Sequence, residues 1–386
     1  MTMNDIDAPE IFQPDAEGNG DAPARAAAGS AVNEPQRRAA LRERLAAAAI
    51  AALLVTDLRN VRYLTGFTGT AGRLLVTADG HGDVFVTDGR YATQAAEQVA
   101  DLPRAITRAD DWLPDALAGR DRLGLESHVV PWAVAEQLRA LLTDVEVVPA
   151  AGHVEALRAV KDAGELAAIG RACAVADAAF AVLLADLRPG WTERHAARHL
   201  ERAMEDRGAD ARAFETIVAS GPNGARPHHR PTDRRLRRGE LVTIDFGARL
   251  DGYHSDCTRV LSLGEPDGDA RALFELALAA QQAGLDAVAD GAATADVDAA
   301  CRDLISAAGR GEEFTHGTGH GIGLDVHEDP RLAADAAGTL RAAMVVTVEP
   351  GVYVPGLGGA RVEDTVAVTG AGSEILTATP KPLAVL

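Results

Sequence analysis

Two short apolar runs in the last third of the chain carry an acidic residue at or just past their end. The first is Leu241–Phe246, which includes Asp245, and the second is Val345–Val348, which directly precedes Glu349. Apolar runs of this length predict strands that are buried on both faces. Because a buried carboxylate without a partner costs several kcal/mol, each of these acids must face a cation.

A hairpin signal follows the first run. The dipeptide Asp251-Gly252 favours a two-residue hairpin turn and lies near the midpoint between Asp245 and Asp256. Cross-strand neighbours in an antiparallel pair have Cβ atoms about 5 Å apart. The pattern therefore predicts that the two aspartates lie almost opposite each other and bind one ion together.

The second run repeats this arrangement. Gly356, in a Pro/Gly-rich loop, is the midpoint between Glu349 and Glu363, so these glutamates should also face each other. The nearby glycine-rich stretch 315–323 contributes His320.

Together these five residues predict a site for two divalent cations. Any single acidic residue in a strand is more often a solvated edge residue or an ion-pair partner. The only lysines are Lys161 and Lys381, however, so the partner of the buried acids must be an arginine or a metal. Two divalent ions would neutralise the four carboxylates and activate a water for attack on a carbonyl or phosphoryl centre.

The pattern upstream of each hairpin also repeats. A helix is predicted over 161–187, and a second helix, capped by Thr192, over 192–207. The same order returns with a helix over 268–290, a break at Gly291 and a helix capped by Thr294. Helix, helix and hairpin, twice over, predict a pseudo-symmetric duplication in which the carboxylate hairpins meet at the centre.

The rest of the chain divides into three parts. Residues 1–35 are acidic and rich in Ala, Gly and Pro, which predicts a disordered tail. Residues 36–155 form an α/β domain with a helix from Arg37, and residues 156–386 form the second domain. Strands of the first domain are predicted at Ala51–Val55, Leu74–Val76 and Val84–Val86.

Composition narrows the class of partner. A net charge of −19 over 386 residues argues against nucleic acid or an anionic membrane surface as the main partner. Three cysteines without metal-type spacing are typical of reduced thiols in a cytoplasmic protein. We expect no apolar stretch of transmembrane length and no signal peptide.

Several segments resemble the metal-dependent aminopeptidase P and prolidase family, relatives of methionine aminopeptidase. The resemblance implies an α/β (α+β) fold, with a smaller creatinase-like N-terminal α/β domain followed by a pseudo-symmetric pita-bread domain. Weaker matches to the creatinase/prolidase N-terminal domain are at 60–69 and 87–91. The segments that match the catalytic domain are 244–247, 253–259, 316–323, 347–353 and 361–365.

The resemblance also implies how the metals are held. Asp245 would bind the first ion and His320 the second, and Asp256 and Glu363 would bridge them. Glu349 would complete the set of ligands on the second ion and shuttle a proton. A carboxylate-rich site with one imidazole suits hard ions, so Mn²⁺ is expected first, with Co²⁺, Zn²⁺ and Fe²⁺ as alternatives.

Other side chains are assigned to catalysis by the same resemblance. His228, rather than its neighbour His229, matches one substrate-side histidine, and His327 matches a second. His316 resembles a third histidine of the proline-directed members. Arg361 is expected to be a charge partner of the carboxylates or of the substrate.

The function implied is hydrolysis of the peptide bond that precedes proline, a tertiary amide without an N–H group. Between the two activities of the family we favour an aminopeptidase that releases the first residue of Xaa-Pro peptides; the alternative is an Xaa-Pro dipeptidase (prolidase). A non-catalytic pita-bread binding protein is a remote alternative, because such proteins typically lose ligands. The expected partners are a proline-containing peptide and a second copy of the chain in a homodimer.

Overall fold

The computed structural model describes residues 33–386. The predicted tail lies outside the described residues except at its end, where helix α1 (Glu34–Ala47) begins at Glu34 with Pro35 in its first turn. Proline is favoured there because the first-turn N–H groups have no partner within the helix. The first residues of α1 thus fall within the stretch predicted as tail.

A six-stranded mixed sheet forms the N-terminal half, in the order β4-β3-β2-β1-β5-β6. The central strand β1 is buried throughout and pairs antiparallel with β2 and parallel with β5. The strands are β1 (Ala52–Val55), β2 (Arg73–Thr77), β3 (Val84–Thr87), β4 (Arg104–Ile106), β5 (Arg122–Leu125) and β6 (Glu146–Pro149); the further helices are α2 (Leu58–Thr65), α3 (Ala92–Gln98), α4 (Leu113–Ala116), α5 (Trp132–Leu141) and α6 (Glu155–Arg158).

The C-terminal half packs two helix pairs and several sheets. Its helices are α7 (Ala163–Asp186), α8 (Glu193–Glu205), α9 (Gly268–Ala287) and α10 (Thr294–Ala307). Its strands are β7 (Ala211–Arg212), β8 (Ile217–Ser220), β9 (Leu241–Phe246), β10 (Ala248–Leu250), β11 (Tyr253–His254), β12 (Cys257–Ser262), β13 (Gly319–Gly321), β14 (Glu328–Leu332), β15 (Val345–Val348), β16 (Gly351–Val354), β17 (Gly358–Arg361), β18 (Asp364–Thr369), β19 (Gly372–Ile375) and β20 (Ala384–Val385).

The predicted order of two helices followed by a hairpin occurs twice in this half. The loops that join α7 to α8 and α9 to α10 each contain a glycine at φ +87°, Gly190 and Gly291. The first cap is correct, because the Thr192 side chain accepts a hydrogen bond at the start of α8. The second is wrong: Ala293 is the N-cap of α10, and the Thr294 hydroxyl instead bonds to the backbone of Gly338.

Two larger sheets carry the hairpins. One has the order β20-β12-β9-β8 and the other β14-β13-β15-β18-β19. The hairpins extend beyond these sheets as separate short ladders, β10 with β11 and β16 with β17. Each hairpin thus has an irregular segment between its two ladders, and the acidic residues lie at or beside these segments.

Helix α7 is long and apolar enough to cross a membrane by length and composition alone. The expectation that no apolar stretch reaches that length is therefore wrong for this helix. Packed core helices pass the same test, and α7 buries Ile169, Cys173 and Phe180 in the hydrophobic core. Its apolar length is explained by the sheet and the helix that it packs against.

Candidate metal centre

The first carboxylate hairpin turns at Asp251 and Gly252, which have φ values of 48° and 73°. Two positive values are typical of the type I′ turn that the dipeptide predicts. The ladder pairs Asp245 with Thr258, so Asp256 lies two residues from the position directly opposite Asp245. The turn centre lies one residue beyond the midpoint of the aspartates, which accounts for the offset. Both carboxylates still project from the same face, because side chains alternate along a strand.

The second hairpin has the predicted register. Val348 pairs with Asp364 in the outer ladder and Gly351 pairs with Arg361 in the inner one. Both ladders have the same register, which places Glu349 opposite Glu363 in the segment between them.

Three carboxylates meet where the hairpins approach each other. Ligand oxygens of Asp245, Asp256 and Glu363 all lie within 4.8 Å of one another, and the three residues are buried. Each has one buried oxygen without a hydrogen-bond partner among the described residues: Asp245 Oδ1, Asp256 Oδ1 and Glu363 Oε1. Buried anionic oxygens left unpaired at one point fit divalent cations, which supply the missing charge.

His320 and Glu349 complete the predicted set. His320 Nε2 lies 3.3 Å from Glu349 Oε1 and 3.7 Å from Asp256 Oδ2. Its Nδ1 lies 3.0 Å from the Gly321 carbonyl oxygen. Donation of the Nδ1 proton to that carbonyl leaves the Nε2 lone pair directed at the carboxylates, as a metal-ligating histidine requires.

The electrostatics of the cluster favour a cation. Burial and then the neighbouring carboxylates raise the pKa of Asp256 and of Glu363 well above the usual range. Burial also raises the pKa of Asp245, although Arg361 opposes it. Glu349 differs: burial is outweighed by the hydrogen bond and charge of His320, which hold its pKa at about 2. A bound divalent ion would favour the ionised form of all four acids.

Arg361 is buried and connects the cluster to its surroundings. Nη2 donates to Asp245 Oδ2 at 2.6 Å, and Nε donates to Thr258 Oγ1 at 3.1 Å. Nη1 donates to the Tyr353 hydroxyl at 2.9 Å and to the Pro227 carbonyl at 3.3 Å. Arg361 thus forms an ion pair with Asp245, a carboxylate of the cluster. A charge partner of the carboxylates was one of the two roles expected for it.

Sequence reasoning missed the roles of two side chains. Thr258 Oγ1 donates to Glu363 Oε2 at 2.6 Å while it accepts from Arg361, so it orients a carboxylate of the cluster. The Tyr353 hydroxyl lies 2.8 Å from His316 Nε2. Thr258 could have been found from the turn, because the register centred on Asp251-Gly252 puts it directly opposite Asp245.

A cavity of about 820 Å³ opens over the cluster and lies between the two halves of the chain. His228, His316 and His327 line it together with Arg361, and the His327 ring centroid is 4.3 Å from that of His320. The N-terminal half contributes Asp57, Arg59, His128, Glu155 and Arg158.

The two adjacent histidines have different surroundings. His229 is buried, and its Nε2 lies 2.9 Å from Glu193 Oε2. His228 is exposed at the cavity and is therefore the one that a substrate can reach.

Both halves of the chain match known protein families. A model of the creatinase/prolidase N-terminal domain matches residues 37–160, and a model of metallopeptidase family M24 matches residues 167–370. An Xaa-Pro dipeptidase of Pyrococcus horikoshii is 34% identical over 86% of this chain and 94% of its own.

Solved structures give the same picture. The Xaa-Pro dipeptidase from Bacillus anthracis is 37% identical and superposes with a TM-score of 0.89, over 92% of this chain and 100% of its own. The X-Pro aminopeptidase from Thermotoga maritima is 33% identical with a TM-score of 0.82, over 89% of this chain and 99% of its own.

Proposed function

The chain belongs to metallopeptidase family M24 and is an Xaa-Pro metallo-exopeptidase; we propose that it is an Xaa-Pro dipeptidase. The predicted fold class, a creatinase-like N-terminal α/β domain followed by a pita-bread domain, is confirmed by the two family matches and by the solved structures. We keep the domain boundary at residues 155–156 as part of this proposal.

The choice of dipeptidase replaces the aminopeptidase favoured from the sequence. The relatives from P. horikoshii and B. anthracis, both similar to this chain over most of its length, are both named Xaa-Pro dipeptidases. The N-terminal half also contributes side chains to the cavity, Arg59 and His128 among them, so both halves could contact the bound peptide.

The family implies divalent metal ions, and we propose two, with Mn²⁺ the first candidate. The five oxygen and nitrogen donors would be supplied by Asp245, Asp256, His320, Glu349 and Glu363, and carboxylate-rich donor sets favour hard ions. When bound, such ions lower the pKa of a water toward neutrality and polarise the carbonyl before proline.

The remaining steps belong to the protein's own side chains. Glu349 would accept the proton of the attacking water and pass it to the proline nitrogen, a role that requires the ionised carboxylate that its lowered pKa indicates. His228 and His327 would hydrogen-bond the developing oxyanion or the peptide beside it.

His316 has a different part in this proposal. Its Nδ1 lies 2.8 Å from the Gly317 carbonyl oxygen and its Nε2 2.8 Å from the Tyr353 hydroxyl. Burial lowers the pKa of His316, so the neutral ring donates from Nδ1 and accepts at Nε2. It would therefore hold Tyr353 and, through it, Arg361, instead of binding the peptide directly.

The observation that carries the proposal is a group of three buried carboxylate oxygens without partners among residues 33–386. They belong to Asp245 and Asp256, which line the cavity, and to Glu363. To test it, we would chelate the protein, reload it with Mn²⁺, Co²⁺ or Zn²⁺, and assay Gly-Pro beside Gly-Pro-Ala. We expect metal-dependent cleavage of the dipeptide only. Cleavage of the tripeptide alone would instead support the aminopeptidase activity favoured from the sequence. No cleavage with any metal would favour a non-catalytic binding protein.

A matched pair of variants checks the site. Asp256→Asn should abolish activity and reduce the bound metal. Asp251→Asn, in the exposed turn of the same hairpin, should leave both unchanged, because asparagine is also favoured in a type I′ turn.

We further propose a cytoplasmic homodimer. All three cysteines are buried and none is in a disulfide, which suits a reducing compartment. The dimer follows from the family resemblance, and sedimentation equilibrium would measure it.

A further inference from the structure

The loop that carries His228 is bonded at both ends to one buried carboxylate. Glu193, the first residue of α8, is 0% exposed. Its Oε1 accepts from the Ser220 N–H at 2.9 Å, the Ser220 hydroxyl at 2.7 Å and the Asn223 amide at 2.9 Å. Its Oε2 accepts from His229 Nε2 at 2.9 Å, the Thr232 N–H at 3.0 Å and the Thr232 hydroxyl at 2.7 Å.

His228 lies between two of the fixed points of this loop. On one side the Pro227 carbonyl accepts from Arg361, which also binds Asp245 of the carboxylate cluster. On the other side His229 is bonded to Glu193. A residue whose two neighbours are both held has little freedom to leave the cavity, although its own side chain is exposed there.

A carboxylate suits this position better than an amide. Six donors converge on its two oxygens, whereas the NH₂ group of an amide would face the backbone N–H of Ser220 or of Thr232, which can only donate. The helix N-terminus also favours a negative charge at this position. In agreement, the hydrogen bonds that Glu193 accepts outweigh its burial and lower its pKa to about 2.

We propose that Glu193 is a positioning residue for catalysis, which holds the 220–232 loop so that His228 faces the bound peptide. This inference rests on the proposed function, because it requires that His228 contacts the substrate. Glu193 itself touches neither the carboxylate cluster nor the cavity, among whose lining residues it does not appear.

The first test compares Glu193→Gln with Glu201→Gln, a control on the same helix whose side chain pairs with Arg212 at the surface. We expect E193Q to lose about 10- to 100-fold in kcat/KM for Gly-Pro, the range for loss of an orienting contact, with wild-type metal content. Amide hydrogen exchange at Ser220 and Thr232 should accelerate in E193Q only. Wild-type exchange or activity in E193Q would overturn the proposal. If E193Q does not fold, Glu193→Asp keeps the charge with a shorter reach and serves as the second variant.

The second test separates positioning from general stability. In a His228→Ala background E193Q should cause no further loss of kcat/KM, whereas in a His327→Ala background it should cause its full loss. An equal loss in both backgrounds would mean that Glu193 does not act through His228. A fully active H228A enzyme would instead refute the role of His228 in the proposed function, while the exchange measurement would still report whether Glu193 holds the loop.

Discussion

Arg361 donates a buried 2.6 Å hydrogen bond to Oδ2 of Asp245, while Oδ1 of the same carboxylate has no partner among the described residues. One oxygen is thus fixed by the guanidinium and the other is left for a cation. Because Nη1 of Arg361 also reaches the Pro227 carbonyl, the same side chain connects the metal site to the loop of His228.

The first prediction concerns this arginine. Arg361→Gln leaves a buried carboxylate without its partner, a change that typically costs about 3–5 kcal/mol. The loss should be larger in the chelated protein than in the metal-loaded one, because a bound cation compensates part of the missing charge. Guanidinium unfolding with and without metal measures this. Arg310→Gln, which loses a partly exposed pair with Glu313, is the control, and an equal loss for R361Q in both states would contradict the argument.

The second prediction concerns Thr258, which orients Glu363. Thr258→Val removes the hydroxyl that donates to Oε2 and should weaken metal binding by about 10- to 100-fold, as loss of an outer-shell partner does. Thr243→Val is the matched control. Among the described residues, the hydroxyl of this buried threonine on β9 bonds only to the backbone carbonyl of Gly359. Titration of the apoprotein with Mn²⁺ gives both affinities. Equal affinities in the two variants would show that the hydroxyl of Thr258 does not orient a ligand.

Local signals in the sequence were enough to predict the two hairpins. The turn at Asp251-Gly252 is specified by its own residues, and the register follows from the turn, as the pairing of Glu349 with Glu363 also illustrates. The order of the helices could also be predicted, because apolar periodicity and helix breaks are local features of the sequence. These features depend on neighbours along the chain, which a single sequence displays.

Contacts between segments that are distant along the chain could not be predicted from the sequence. The bonds from Arg361 to Pro227 and from Glu193 to Thr232 span 134 and 39 residues, and no local pattern indicates them. Thr294 shows that a local signal can also mislead. Its position in the sequence fits a helix cap, but a strand-like bridge between Ala293 and Thr339 places its hydroxyl against Gly338 instead. In each case tertiary packing determines the hydrogen-bond partner of the side chain.

The third prediction concerns the contact between the domains. Arg158 donates to Asn60 at 2.8 Å and pairs with Glu328, the residue after His327. All three side chains are largely buried. Arg158→Met should therefore cost about 1–3 kcal/mol of unfolding free energy, because Asn60 loses its donor and Glu328 keeps only Lys161, at 3.4 Å, as a buried cation.

The same change should lower activity, since the segment that carries His327 loses its hold on the N-terminal domain. Arg139→Met removes an exposed pair with Glu136 and should cost less than about 1 kcal/mol. Urea unfolding and the Gly-Pro assay measure both variants. If R158M were as stable and as active as R139M, the domain contact would have no part in holding this segment.

The last prediction concerns acid stability and Glu193. The pKa of Glu193 is lowered from 4.5 to about 2 in the folded protein, so its charge stabilises the fold fully above about pH 4.5 and less and less as the pH falls toward 2. Such a shift is worth on the order of 3 kcal/mol. Ionisable side chains near Glu193 include His229, in direct contact, and Arg234, which bonds to Ser220 Oγ.

Glu193→Gln has no charge to lose, so the difference in unfolding free energy between the wild type and this variant should be largest near pH 6 and should shrink as the pH falls from 4.5 toward 2. Guanidinium unfolding at pH 6, 4 and 2.5 measures that difference, and because the other acids titrate in both proteins, their contributions largely cancel. Glu201→Gln should show no comparable trend, because its pair with Arg212 is at the surface. A difference for E193Q that stays constant over this range would mean that the six hydrogen bonds hold the loop without depending on the charge of the carboxylate.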